Sequence, residues 1–280
     1  MLTALFRGWV TAGRLWPFVT VLWLINAVFG VLFFLASSYW LSLALDHSLA
    51  TRTLLRDLDP NVLVDLYHHH GESFRLLLVT AVLLAIGYLL LWFWLHGTVI
   101  FAVRAEKGTL SRAAWRAGLH TTAAMAWLFL VAALALALLT GVVGAAAWGF
   151  WRWTIANPAP MLPYQILAAA GLIWAGGAVL LTAVHDHARI RVCATGEGVW
   201  TSYRWAWGFV WRGGEGAFLL AVALHLVALS LWVTHQSIGM AFPVGALVGV
   251  AGALVWGQMF LFVRMWIRVW FFAAQNELQG

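Results

Sequence analysis

Six stretches of this chain stay apolar for about twenty residues or more, and no other feature constrains its fold as strongly. A bilayer hydrocarbon core of about 30 Å takes about 20 apolar residues as helix, since a spanning backbone must satisfy its own hydrogen bonds. The stretches cover 15–45, 76–103, 122–150, 164–184, 214–232 and 243–272. They are continuous rather than alternating with period two, which argues against an outer-membrane barrel. Several exceed the minimum, so they should tilt or project beyond the hydrocarbon. Charged residues make up 9% of the 280 positions, against about 25% in average globular chains, so too little polar surface exists to cover a soluble core. Twenty tryptophans and 17 phenylalanines suit the lipid–water boundary, where amphipathic rings collect. The expected fold is an all-α integral membrane protein: six transmembrane helices as hairpins, in a single domain over 1–280.

The loops sort by charge. Twelve basic residues fall on one side: Arg7, Arg14, Arg104, Lys107, Arg112, Arg116, Arg189, Arg191, Arg204, Arg212, Arg264 and Arg268. Four fall on the other, Arg52, Arg56, Arg75 and Arg152, together with Asp46, Asp57, Asp59, Asp65 and Glu72. Cytoplasmic loops carry the excess of Lys and Arg, so both termini are expected inside. The first 14 residues, basic at Arg7 and Arg14, lead into an apolar run too long for a cleavable signal, which reads as an uncleaved anchor. Residues 46–75 form the largest polar segment, with a helix-start signal at Asp59-Pro60-Asn61; the connections near 158–163 and 236–242 are short. A single cysteine, Cys193, excludes an internal disulfide framework. The formal charge of +6 is orientation signal rather than a nucleic-acid surface, since no long polar basic stretch exists.

The inner ends of the outward-to-inward helices look alike. Gly97 and Arg104 stand seven apart, as do Gly257 and Arg264, and Thr182 and Arg189 keep the pattern. Two amphipathic segments, 109–120 and 197–212, follow such ends. In the first, Arg112, Arg116 and His120 recur at steps of four; in the second, Trp200, Tyr203, Trp207 and Trp211 cluster with Arg204 and Arg212 nearby. Aromatic bodies at the acyl boundary and cations among anionic headgroups hold an interfacial helix, so both segments are expected as short linker helices on the inner leaflet. The lipid-headgroup candidates are Arg104, Arg112, Arg116, Arg189, Arg191, Arg204, Arg264, Arg268, Trp200 and Trp207.

Other polar groups have two readings each. His68, His69 and His70 lie beside Asp65 and Glu72, and on a helix Asp65/His69 and His68/Glu72 share faces at the spacing of zinc helices. Adjacent histidines point in different directions, so a solvated loop is the first expectation and a metal site on His68, His69, Asp65 and Glu72 the second. His96 and His225 sit inside apolar runs, where ionisable groups are costly. An interhelical hydrogen bond or a place near the interface, ligation of a haem or pigment, or a proton relay would each explain them. The run His185-Asp186-His187-Ala188-Arg189-Ile190-Arg191 should end the fourth helix, with Asp186 pairing Arg189 three residues on. Arg264 and Arg268, four apart, could snorkel to the inner headgroups or neutralise Asp186 or Glu215. Small residues at Gly245/Gly249, Gly171/Ala175 and through 132–147 allow close helix approach, and Asn26 and Gln258 could bond between helices.

No nucleotide loop, nucleophile elbow or haem-attachment motif appears, so catalysis is not expected and no cofactor is called for. The hairpin pattern and Asp186-His-Ala-Arg-Ile-Arg-Val192, followed by an aromatic linker, resemble uncharacterised bacterial six-helix membrane proteins. They are similar to the membrane domain joined to glycerophosphodiester phosphodiesterases. That resemblance implies a bundle scaffold and not the activity, because these 280 residues hold no counterpart of the catalytic barrel. The first functional expectation is therefore a non-enzymatic accessory subunit of a bacterial inner-membrane complex. Its partners would be membrane lipids and other membrane subunits or its own copies, with no nucleic acid. A transporter or lipid-handling permease is the alternative, and a redox or pigment-binding subunit the third.

Overall fold

A computed structural model of the chain describes residues 1–45, 64, 68, 71–105, 111–156, 161–212, 216–242 and 247–279. Eight helices account for nearly all of these, and no strand occurs among the described residues. They are α1 Leu2–Arg14, α2 Trp16–Leu45, α3 Gly71–Arg104, α4 Arg112–Ala156, α5 Leu162–Thr195, α6 Val199–Arg212, α7 Ala217–Gly239 and α8 Leu247–Glu277. Six of them, α2, α3, α4, α5, α7 and α8, are long and apolar enough to cross a membrane. The all-α, six-span expectation therefore holds, as does the separate aromatic helix α6.

Several boundaries differ, each for a local reason. The basic lead-in is a helix of its own, α1, that ends at Leu15. Pro17 has no N–H to give the carbonyl four residues back and its ring crowds that carbonyl, so one helix cannot run through. The expected linker helix at 109–120 is not separate: from Arg112 it runs unbroken into the third span, because Gly118 alone does not stop a helix. The fourth span continues past 184 to Thr195 and stops at Gly196, whose φ of 69° is the left-handed conformation glycine adopts freely. The fifth starts after Gly216 (φ 94°) and runs on through the expected connection to Gly239. There Thr234 and Ser237 donate to the carbonyls of Ser230 and Val233 instead of breaking the turn. The third span and the sixth also reach further, to Ala156 and Glu277.

The chain divides into two compact units, 21–92 and the remainder, 1–20 with 93–280. In the smaller unit α2 and α3 form a hairpin. Tyr88 donates to the Asn26 side chain at 2.8 Å, the interhelical bond expected of Asn26, and meets Phe29 edge-on at 5.3 Å. Trp40 and Phe74 close the same hairpin further along.

In the larger unit the buried side chains gather, with few exceptions, at one end of each helix. These are the last turns of α3, α5 and α8 and the first turns of α4 and α7, to which α1 and α6 are added. The ends meet closely. A Cβ at Gly118 would strike the Trp94 carbonyl oxygen at 2.7 Å, and one at Gly97 would strike Thr121, so α3 and α4 cross backbone to backbone. Ala4, Gly8 and Ala12, at four-residue steps, put the small face of α1 against α8, where a Cβ on Gly8 would lie 2.6 Å from the Ala274 nitrogen. Trp270 secures this contact by donating to the Leu5 carbonyl at 2.9 Å. Gly257, by contrast, meets open space, so the sequence likeness between the Gly97 and Gly257 helix ends is not a likeness of packing.

The membrane-crossing halves are another matter. No more than 22% of the most apolar 18 residues of any span is buried, and in α3 none is. Among the described residues nothing lies within 4 Å of a Cβ at Gly171, Gly141, Gly144, Gly149 or Gly176, so the expected close approach through Gly171 is not made there, whereas at Gly177 a Cβ would lie 2.9 Å from the Leu139 side chain.

Candidate functional site

The packed helix ends hold most of the buried polar groups. Asp186, His187 and Arg189 lie on the last turns of α5, continuous helix carrying them inward rather than onto a surface linker. Asp186 and Arg189, three apart on one face, form the ion pair expected from their spacing. Gln275 of α8 donates to the second Asp186 oxygen at 3.2 Å, and the Arg189 guanidinium lies 5.0 Å over the Phe272 ring. Arg189 is 7% exposed, so the sequence reading that set it among lipid headgroups is corrected: it is bonded inside the protein. A buried carboxylate needs such partners, because desolvation otherwise exceeds what a single charge contact returns. Beside it, Gln279 donates to the His187 ring at 2.8 Å.

Tyr203 of α6 ties that helix to two others. Its hydroxyl donates to the Leu128 carbonyl of α4 at 3.0 Å and lies 2.7 Å from His185 Nδ1. With the hydroxyl proton committed to Leu128, Nδ1 is the donor of the second bond. Burial pushes the Tyr203 phenol up to about 12, with Arg189 pulling the other way, so the hydroxyl keeps its proton.

His96 lies in the buried C-terminal stretch of α3, and His225 follows the buried Leu224 of α7. Arg268 Nε donates to His96 Nε2 at 3.0 Å, and Phe272 meets the His96 ring edge-on. His225 Nδ1 lies 2.7 Å from the Ala221 carbonyl of its own helix, with Phe271 edge-on to the ring. His96 thus makes an interhelical hydrogen bond, one of the explanations offered by the sequence, whereas His225 bonds within its own helix. Arg268 thus joins α8 to α3 through His96.

Outside the core, α6 lines a concavity. Ser202, Ala206 and Val210, at four-residue steps, form its buried face and let it lie close on the bundle. The opposite side carries Trp200, Trp207 and Trp211, exposed at 69%, 46% and 68%. Trp207 and Trp211 stack nearly parallel at 6.0 Å. Between this side and the walls of α4 and α5 runs a groove of about 870 Å³. Val131, Ala132, Ala135, Leu181 and Val184 make its apolar wall, while Arg204 and Arg212 stand on the α6 side. Neither arginine has a carboxylate partner among the described residues. Arg191, in contrast, is held by both oxygens of Glu197 at 2.8 and 3.2 Å and lies over Trp205.

The remaining expected residues scatter. Arg112, Arg116 and Arg264 are exposed, and Arg104 is exposed with Asn276 at 3.5 Å. Of the metal candidates, Asp65 and His69 lie outside the described residues, as does the helix start at 59–61. His68 is exposed, and Glu72 belongs to the first turn of α3, where Arg75 bonds it at 2.8 Å. Arg212, Trp211, Tyr203, Gln275 and Gln279 were not among the expected site residues. The four-residue spacing of Tyr203, Trp207 and Trp211 carried the signal for the groove, whereas Gln275 and Gln279 carry none for a buried Asp186 and His187. Compared with protein-family models, curated proteins and solved structures, the chain matches nothing.

Proposed function

We propose that this chain is a non-enzymatic accessory subunit of a bacterial inner-membrane assembly, with both termini in the cytoplasm. One observation carries the reading. The helices of the larger unit pack tightly at one set of ends, while most of each apolar membrane-crossing window stays exposed and carries small residues, with α4 and α5 meeting there at Leu139/Gly177 and Thr140/Trp174. Lipid tails give no hydrophobic drive for helix association, so helices in a bilayer associate where small residues let backbones approach. Gly141, Gly144 and Gly149 on α4 and Gly171 and Gly176 on α5 offer such surfaces, and no described residue lies within 4 Å of a Cβ built on any of them. The basic bias of the packed ends supports placing them in the cytoplasm. Affinity purification in mild detergent tests the proposal. A particle containing a stoichiometric second membrane protein, or several copies of this 30.9 kDa chain, is expected. A lone monomer would contradict it.

A second reading, lipid handling, is favoured by the groove beside α6, which combines apolar walls with Arg204 and Arg212, neither of which has a carboxylate partner among the described residues. Lipid transfer between vesicles by the reconstituted protein would support it, and reconstituted protein that leaves transfer at the background rate would remove it.

A further inference from the structure

We infer that the groove between α4, α5 and α6 is a binding site for an anionic phospholipid, phosphate at the arginines and acyl chain along the apolar wall. The proposal goes beyond the subunit reading and does not depend on whether lipid is moved or only held. Its size, about 870 Å³, lies in the range of small-molecule sites. Its chemistry is divided in the way a phospholipid is divided. One wall, Val131, Ala132, Ala135, Leu181 and Val184, offers nothing polar on its side chains. The α6 side offers Arg204, Arg212 and indole rings.

Charge decides which lipid. A guanidinium fork matches a phosphate bidentately, and both arginines are exposed without a carboxylate partner among the described residues. They stand eight residues apart, roughly 12 Å along the helix axis at 1.5 Å per residue. A zwitterionic lipid that places its phosphate at one arginine brings its own ammonium toward the other. A lipid of net negative charge has no such conflict, and the field of both cations favours it. The exposed tryptophans suit the boundary where glycerol meets acyl chain. Gly208 also lines the groove, and a Cβ there meets open space. A larger residue at 208 would therefore fill the groove without pushing on the backbone, which gives a clean probe.

The test uses the full chain, stripped of lipid in detergent, with native mass spectrometry reading bound lipid. Phosphatidylglycerol, phosphatidylcholine and inorganic phosphate are the probes. Phosphatidylglycerol is expected to bind well above phosphatidylcholine. Each of Arg204→Gln and Arg212→Gln should weaken it roughly fivefold, and the pair about thirtyfold. Gly208→Leu should abolish tight binding while leaving the thermal unfolding midpoint unchanged. Equal binding of the two lipids, or a preference for the choline headgroup, overturns the charge assignment. Full binding by Gly208→Leu overturns the groove. Displacement by millimolar inorganic phosphate assigns the arginines to a free anion and overturns the lipid. The same spectra count subunits separately, so failure here and failure of the subunit reading are distinguishable.

Discussion

Asp186 and Arg189 show what one buried charge demands of its surroundings. Their i,i+3 pairing is readable in the sequence, but the Gln275 donor 89 positions away is not, because it depends on which helix end packs against α5. Removing one partner of such a pair typically costs 3–5 kcal/mol, since the other charge stays buried alone. Arg189→Gln should therefore lower the thermal midpoint far more than Arg204→Gln, whose arginine is exposed; equal effects would refute the burial of the pair. Glycines give a sharper contrast. Gly118→Ala must displace the Trp94 carbonyl and Thr98 nitrogen, so it should destabilise by about 1–3 kcal/mol, whereas Gly208→Ala should not destabilise at all. Tyr203 adds a pH dependence. Its phenol rises from 10.0 to about 12 on folding, so its stabilisation is complete below pH 10 and is lost as pH rises toward 12. Unfolding midpoints between pH 9 and 12 should fall less steeply in Tyr203→Phe; an unchanged slope would show that the phenol is not held protonated by the fold.

At the scale of elements, the long spans were legible because apolar length is the dominant signal in a membrane chain. What escaped was the behaviour of polar helix ends. Thr234, Gln236 and Ser237 read as a connection, yet hydroxyls satisfied by carbonyls four back leave the helix intact. The segment 109–120 read as a linker by its amphipathic spacing, but nothing between Arg112 and Thr122 compels a break. Helix α1 was missed because its signal is a face of small residues, Ala4, Gly8 and Ala12, visible only once Ala274 lies against it. A leucine at position 8 cannot occupy that space. In Gly8→Leu, amides of α1 should exchange with solvent markedly faster than in the parent while those of α5 stay protected; unchanged protection of α1 would mean that its seat on α8 does not depend on this approach. For the groove, the tryptophan spacing pointed to α6, while the opposing wall on α4 and α5 needed the fold.

For the whole molecule, the distribution of packing matters more than its amount. The larger unit folds its basic helix ends together through Gly97, Gly118 and Gly8, while α4 and α5, which meet at Leu139/Gly177, keep glycine positions that no described residue approaches. Its six apolar helices suit a multi-pass membrane protein, and the open glycine faces are the surfaces the proposed subunit contacts would use. The most direct measurement is photo-cross-linking in intact membranes, with a photoreactive side chain placed singly at Gly144, Gly171 or Phe34. Gly144 and Gly171 belong to the open small-residue faces, and Phe34 is an exposed bulky residue of α2 with no such surface required of it. Discrete protein adducts, to a partner subunit or another copy, are predicted at Gly144 and Gly171 and only lipid adducts at Phe34. Lipid adducts alone at all three positions would contradict the account.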